Sequence, residues 1–139
     1  MTPEIRMKVE ASFAAQGLMR TLGAELTDLG QGFCTVRVPI RPETGQQHGF
    51  AHAGLTFSVG DSAAGYSALS VMPADVEVLT SEMKIHLIRP AAGTWLRAEG
   101  KVIKPGRRLC VVSADVYAEG DGADRHVATL LGTMVPTAL

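Results

Sequence analysis

The amino-acid sequence predicts an α+β domain in which a curved, mostly antiparallel sheet wraps around one long central helix. Residues 46–70 open with polar and glycine residues and then become apolar nearly all round, which is typical of a buried helix of about five turns. After Pro73 the pattern changes to alternating polar and apolar residues in runs separated by short turns, as in half-buried strands. The predicted order is a helix, two strands, the buried helix and four strands, and this order implies the α+β class.

The first third of the chain is predicted to contain a short helix and two strands. Residues 2–4 (Thr-Pro-Glu) have the capping hydroxyl, proline and acid of a helix start, and Gly17 is a residue that can end the helix. A strand is expected over 23–29. The alternation over 34–40 predicts a second strand, and a loop over 41–51 leads into the central helix.

Four further strands are predicted over 79–87, 96–102, 110–118 and 126–135. Proline and glycine between the second and third of these indicate a hairpin turn. In strand 79–87, strict alternation places Thr80 on the same face as Glu82, Lys84 and His86. The row expected on the opposite face is Leu79, Ser81, Met83, Ile85 and Leu87.

Composition and length favour one ordinary globular domain, 1–139, with 46% hydrophobic and 19% charged residues. A net charge of −1 gives no electrostatic reason to expect nucleic acid binding. Cys34 and Cys110 each lie in an apolar, strand-like run and are interpreted as core residues rather than a disulfide framework. Because the sequence has neither a signal-peptide pattern nor an apolar run of membrane-spanning length, we expect a soluble cytoplasmic protein without membrane contact.

Asp61 is the residue of the central helix that most needs an explanation. It is the only Asp, Glu, Lys or Arg between Thr44 and Ala74. A lone carboxylate inside an apolar helix costs free energy unless it is paired, hydrated or used. The residues alone leave two interpretations open, a structural carboxylate bonded to a core polar group or a catalytic one.

Four segments together resemble the hotdog-fold acyl-CoA thioesterases, most closely the phenylacetate-pathway (PaaI-like) branch. They are residues 49–54 (GFAHAG), Asp61, residues 80–85 (TSEMKI) and residues 89–91 (RPA). The usual HGG core of the family reads HAG in this chain, and the acid follows the middle position of that core by eight residues, as in the family. The resemblance extends over about 23–135. It implies a hotdog fold and hydrolysis of an aryl- or medium-chain acyl-CoA thioester.

The resemblance also implies roles for site residues. Asp61 acts as general base or nucleophile, and the backbone N–H groups of Ala53 and Gly54 at the helix start form the oxyanion hole. Replacing the first glycine of HGG by alanine keeps the N–H group. Ala53 and Gly54 have a second interpretation, which is that they only permit tight packing where the chain enters the helix. The site amide, often Asn in the family, is assigned to Gln46, with Gln47 as the alternative.

Two further residues receive roles from the resemblance. His52 is expected to shape the helix entry by hydrogen bonding to the backbone, and Thr80 to hold the attacking water, although a threonine in a strand needs no special explanation. The family implies a homodimer in which Asp61 of one subunit faces Gln46 and His52 of the other, and such dimers commonly pair into tetramers.

Metal and cofactor binding are not expected. His48 and His52 are four residues apart, a spacing that suggests a metal pair. Zinc needs three or four ligands, however, and no further His or Cys lies nearby in the sequence.

Substrate contacts are expected from the end of the helix, the loop before it and the cations near two turns. Cations near a turn are suited to binding the phosphates of CoA, although charged hairpin tips also keep edge strands soluble. The candidate phosphate-binding residues are Arg89, Lys104, Arg107 and Arg108, and the candidate acyl-pocket residues are Phe50, Gly65 and Tyr66.

Two other functions remain as alternatives. Enoyl-thioester hydratases and dehydratases of the same fold often have a histidine about five residues after the acid, where this chain has Tyr66. A non-catalytic acyl-CoA sensor with a DNA-binding head is the second alternative. The segment before the first strand is short and not strongly basic, which argues against such a head.

Overall fold

The computed structural model describes residues 1–138, which form one six-stranded antiparallel sheet packed against a long helix. The strand order is β1-β2-β4-β5-β6-β3. This arrangement confirms the predicted fold class. The elements are α1 (Pro3–Ala15), α2 (Gly17–Leu22), β1 (Glu25–Gly30), β2 (Phe33–Pro39), α3 (Ala53–Leu69), β3 (Glu77–Leu87), β4 (Trp95–Lys104), β5 (Cys110–Glu119) and β6 (Arg125–Thr137), with a 3-10 turn at Pro42–Thr44.

The N-terminal region contains two short helices rather than the single helix predicted. Thr2 caps α1, since its side-chain oxygen accepts a hydrogen bond from the backbone N–H of Ile5 at 3.3 Å. Gln16 then adopts an extended conformation, and Gly17 begins α2 instead of ending α1. The left-handed Gly23 (φ +70°) ends α2. No helix within residues 1–138 is both long and apolar enough to span a bilayer.

Helix α3 is the centre of the core, as its apolar composition predicts. It packs against the inner faces of β2, β4 and β5, and its last seven residues are all buried. Gly100 of β4 permits this close approach, because a Cβ atom at that position would lie 2.2 Å from the carbonyl oxygen of Ala63. Cys34 and Cys110 are buried free thiols, which confirms their interpretation as core residues.

A β-bulge in β3 makes the predicted alternation of this strand wrong at its start. Thr80 pairs with Met134 and Glu82 pairs with Thr133, so Ser81 is an extra residue and the alternation shifts by one position. The inner face therefore carries Val78 before the bulge and Met83 after it. Leu79 is 50% exposed instead of buried. The bulge turns Thr80 toward α3, and this orientation positions the site described below.

Candidate active site

The loop before α3 is folded around the side chain of Gln46. Its Oε1 accepts hydrogen bonds from the backbone N–H groups of His48 and of Phe50, the latter at 3.3 Å. The left-handed Gly49 (φ +83°) allows the turn between them. Because Oε1 is occupied by two backbone donors, the NH2 group of Gln46 is the end of the amide left to bind a ligand. The neighbouring Gln47 is exposed.

In the first turn of α3, one of the two backbone donors expected in the oxyanion hole is already bonded within residues 1–138. Nδ1 of His52 accepts a hydrogen bond from the N–H of Gly54 at 2.8 Å, and the carbonyl of His52 accepts from the N–H of Leu55 at 2.9 Å. The imidazole thus caps the helix and occupies the Gly54 donor, and the expected role of Gly54 in the oxyanion hole stays a prediction. Within residues 1–138 the N–H of Ala53 has no acceptor, and it lies at the positive end of the helix dipole.

A cavity of about 470 Å³ opens beside this helix start. Its size is within the usual range for small-molecule sites, about 300–1,000 Å³. A second cavity of about 490 Å³ shares Phe50 and Arg89 with it and extends to Arg125. The residues lining the first cavity include Gln46, Phe50, His52, Ala53, Thr56, Leu87, Arg89 and Val127.

Asp61 lies farther along α3, beside the bulge of β3. Its Oδ1 accepts a hydrogen bond from the hydroxyl of Thr80 at 2.8 Å. Partial burial raises the pKa of the Asp61 carboxyl, and the hydrogen bond from Thr80 opposes this effect without cancelling it. Its other oxygen, Oδ2, has no hydrogen-bond partner within residues 1–138.

A smaller cavity of about 110 Å³ lies next to this carboxylate. It contains the two predicted pocket residues Gly65 and Tyr66, and also two residues that the sequence interpretation missed, Ser12 of α1 and Gln16 at the C-cap of that helix. The amide nitrogen of Gln16 donates to the hydroxyl of Tyr66 at 2.8 Å, and the Ser12 hydroxyl lies 3.2 Å from the same oxygen. The sequence signals of α1 concern its start and its end, and no local pattern relates this helix to a tyrosine about fifty positions later.

One chain does not bring the free N–H of Ala53 and the carboxylate of Asp61 to the same point. They are separated by eight residues of continuous helix, which corresponds to about 12 Å along the axis. A thioester group is much smaller than this distance. Gln46 and Ala53 therefore belong to one half of the candidate site, and Asp61 and Thr80 belong to the other.

The candidate phosphate-binding cations also fall into two groups. Arg89 lines the cavity at the start of α3, and its guanidinium donates to the carbonyl of His126 at 2.9 Å. Lys104 and Arg108 are exposed at the opposite end of the sheet, and Arg107 lines a separate cavity there. Ala128 of β6 pairs with Leu87, near Arg89, and Met134 of β6 pairs with Cys110, near the other three cations. The two β6 residues are six positions apart, about 20 Å along the strand. The four cations do not form one cluster in this chain.

Histidine side chains form neither a metal centre nor a catalytic relay in the described part of the chain. No group of three or more His, Cys, Asp or Glu residues that could hold a metal ion occurs there. His126 contacts Asp115 and Thr129, each at 3.0 Å, on the outer face of the sheet. Both contacts use Nε2, whereas a nucleophile–histidine–acid relay needs both ring nitrogens.

This chain is similar in sequence and in structure to known thioesterase family proteins. Residues 48–124 match the family model of the Thioesterase superfamily. A thioesterase family protein from Silicibacter pomeroyi is 41% identical, with a TM-score of 0.95 over 97% of this chain and 99% of that one. A conserved protein from Pseudomonas aeruginosa is 31% identical, with a TM-score of 0.79 over 87% of this chain and 94% of that one.

A third solved structure is similar in fold alone. The PaaI protein from the phenylacetic acid degradation operon of E. coli is 22% identical. Its TM-score is 0.84, over 95% of this chain and 92% of that one.

Proposed function

Because this chain belongs to the thioesterase superfamily, has the hotdog fold and is a thioester hydrolase, we propose that it hydrolyses an acyl-CoA to the free acid and CoA. The observation that carries this proposal is Asp61, the one charged side chain in a buried helix. Its Oδ1 is held by Thr80, while Oδ2 has no hydrogen-bond partner among residues 1–138. A carboxylate held in this way can accept a proton from water or attack a carbonyl carbon.

Asp61 has two possible routes to the same products. As a general base, its Oδ2 takes a proton from water, the hydroxide attacks the thioester carbonyl, and the C–S bond breaks to release CoA thiolate. As a nucleophile, Oδ2 attacks the carbonyl carbon itself and forms a mixed anhydride with loss of the thiolate, and water then hydrolyses the anhydride. The raised pKa of Asp61 makes the carboxylate a stronger base in either route.

The oxyanion is proposed to bind at the start of α3. The free N–H of Ala53 and the NH2 group of Gln46 supply two donors, and the helix dipole favours negative charge at this position. A backbone N–H acts independently of the side chain, so alanine in place of glycine keeps the donor. His52 contributes indirectly, by occupying Gly54 and fixing the first turn.

Two copies of the chain are proposed to share each site. Strand β3 is at one edge of the sheet, and it exposes Leu79 and Leu87, which are 50% and 55% accessible. Antiparallel pairing of β3 with its copy places the start of one strand beside the end of the other. The end of β3 leads to Arg89 and the cavity at Ala53, and its start carries Thr80. Such a dimer brings Asp61 toward the oxyanion donors of its partner, and two dimers can associate as a tetramer.

The proposed substrates carry an aryl or medium-chain acyl group. Arg89 is the candidate cation that lines the cavity of the oxyanion donors, so it is proposed to bind CoA phosphate. Lys104, Arg107 and Arg108 are also proposed to contact CoA phosphates. They would do so at the end of the sheet opposite this cavity. A panel of aryl- and alkyl-CoA substrates compared by kcat/KM separates the two acyl classes.

The variant Asp61→Asn tests the chemistry. It keeps the size of the side chain and a hydrogen-bond acceptor for Thr80 but removes the base. We expect kcat to fall by about 10²–10⁴-fold, with little change in the midpoint of thermal unfolding or in acyl-CoA binding by calorimetry. Asp75→Asn, at an exposed acid after α3, is the matched control and is expected to keep the wild-type rate. Hydrolysis by Asp61→Asn at the wild-type rate would exclude Asp61 from the mechanism.

A further inference from the structure

We propose that helix α1 forms the end wall of the acyl site and that Ser12 and Gln16 determine how far an acyl group extends beyond Asp61. This inference rests on the proposed thioesterase function and adds two specificity-determining residues to it. They come from an element outside the segments that resemble the family.

The position of the wall follows from the cavity beside Asp61. Its lining includes the bonded pair Asp61 and Thr80, and also Ser12 and Gln16, which both contact the hydroxyl of Tyr66. Tyr66 follows Asp61 by five residues of helix, about 7.5 Å along the axis. An acyl group whose carbonyl carbon is at Oδ2 of Asp61 and which extends along α3 therefore meets Tyr66 and α1.

The side chains of this wall are held in place. The Tyr66 hydroxyl is bonded to Gln16 at 2.8 Å and contacts Ser12 at 3.2 Å, and its ring packs edge-on against Phe13 with 5.8 Å between centroids. Gln16 is the C-cap of α1, where its backbone N–H donates to the carbonyl of Phe13. A side chain fixed at a helix end is a firmer boundary than a surface loop.

The size of the cavity explains why the wall selects among acyl groups. At about 110 Å³ it is smaller than an apolar cavity of about 150 Å³ that admits benzene. Short acyl groups fit without displacing α1, whereas the aryl and medium-chain groups of the proposed substrates require the side chain of Gln16 or Tyr66 to turn aside, so the wall limits how well these substrates are accepted. Gly65 leaves space on the α3 side, since a Cβ atom there would have only the end of Met134 nearby, at 3.8 Å. Length is therefore limited from the α1 side.

The test compares kcat/KM for straight-chain acyl-CoAs of two to ten carbons. Gln16→Ala, and Gln16→Ala combined with Ser12→Ala, remove the wall. We expect the eight-carbon to two-carbon ratio of kcat/KM to rise by about tenfold or more, since two newly buried methylenes account for such a factor. Gln16→Met keeps the volume but loses the hydrogen bond to the Tyr66 hydroxyl, so it is expected to raise the ratio less than Gln16→Ala does. Met7→Ala, at a 68% exposed position of the same helix, is the control.

A second readout separates this inference from the proposed function. Calorimetry with S-alkyl-CoA thioethers of the same lengths measures chain-length preference without hydrolysis. If the variants only lower the unfolding midpoint and leave both length profiles unchanged, α1 is structural and the inference is overturned, while thioester hydrolysis stands. If no thioester is hydrolysed but the variants shift the thioether preference, the wall stands and the proposed function fails. Failure of the wild-type protein to bind any thioether overturns both.

Discussion

The two halves of the candidate site, at the start and in the middle of α3, are chemically opposite. The start has hydrogen-bond donors, Ala53 and Gln46, beside a large open cavity. The middle has an acid and a hydroxyl, Asp61 and Thr80, beside a small cavity that α1 borders. Thioester hydrolysis needs a base and an oxyanion donor within reach of one carbonyl group. Since α3 holds the two halves about 12 Å apart, we propose that a second chain completes the site.

The start of α3, which we call the donor half, loses a hydrogen-bond donor in the variant Ala53→Pro. The middle of α3, with Asp61 and Thr80, is called the acid half. Proline is favoured at the first position of a helix, and His52 before it has the extended conformation (φ −63°, ψ 142°) that precedes proline readily. The substitution therefore removes one N–H with little effect on folding. We expect kcat to fall by about 10²–10³-fold with an unchanged unfolding midpoint.

Two matched variants control for the size of the proline ring. Ala53→Gly and Ala53→Val keep the N–H group, and Ala53→Val adds comparable bulk. Both are expected to remain within a few-fold of the wild-type kcat. If Ala53→Pro and Ala53→Val lose equal activity, the effect is steric and the N–H of Ala53 is not an oxyanion donor.

Dimers made from two different inactive variants test whether each site is shared between two chains. In a dimer of one Asp61→Asn chain and one Ala53→Pro chain, one site contains both substitutions and the other contains neither. Random pairing makes half of the dimers mixed, so co-expression is expected to restore about a quarter of wild-type activity from parents that each have about 1% or less. Activity no greater than that of the parents, with mixed dimers verified by two affinity tags, would place each site within one chain.

The sequence predicts the donor half and the acid half unequally well. Asp61 stands out because a single charge interrupts an apolar helix, and this contrast is visible without any tertiary contact. The start of α3 can also be predicted from the sequence alone, because a glycine-rich loop precedes an apolar run. Which of its N–H groups is free is not visible, since that depends on how the His52 ring is oriented when it bonds Gly54.

Long-range contacts account for the features that the sequence interpretation missed. The orientation of Thr80 depends on the bulge at Ser81, which appears only in the pairing of β3 with β6. Ser12 and Gln16 belong to the site only because α1 packs near Tyr66. Alternation and helical periodicity describe one element at a time, so they carry no information about either contact.

The smallest expected effect concerns the pH dependence of the acid half. In Thr80→Val the hydroxyl that donates to Asp61 is lost, and with it the one contact that lowers the raised pKa of this carboxyl. Activity requires the carboxylate, so kcat/KM rises with pH as Asp61 loses its proton, and a further increase in pKa moves this rise to higher pH. On the acidic side we expect kcat/KM to fall by about 3- to 10-fold, the equivalent of one net hydrogen bond, with convergence toward the wild-type value at high pH. Thr80→Ser keeps the hydroxyl and should keep the wild-type profile. A uniform loss at every pH would instead mean that Thr80 positions water or substrate and leaves the protonation of Asp61 unaffected.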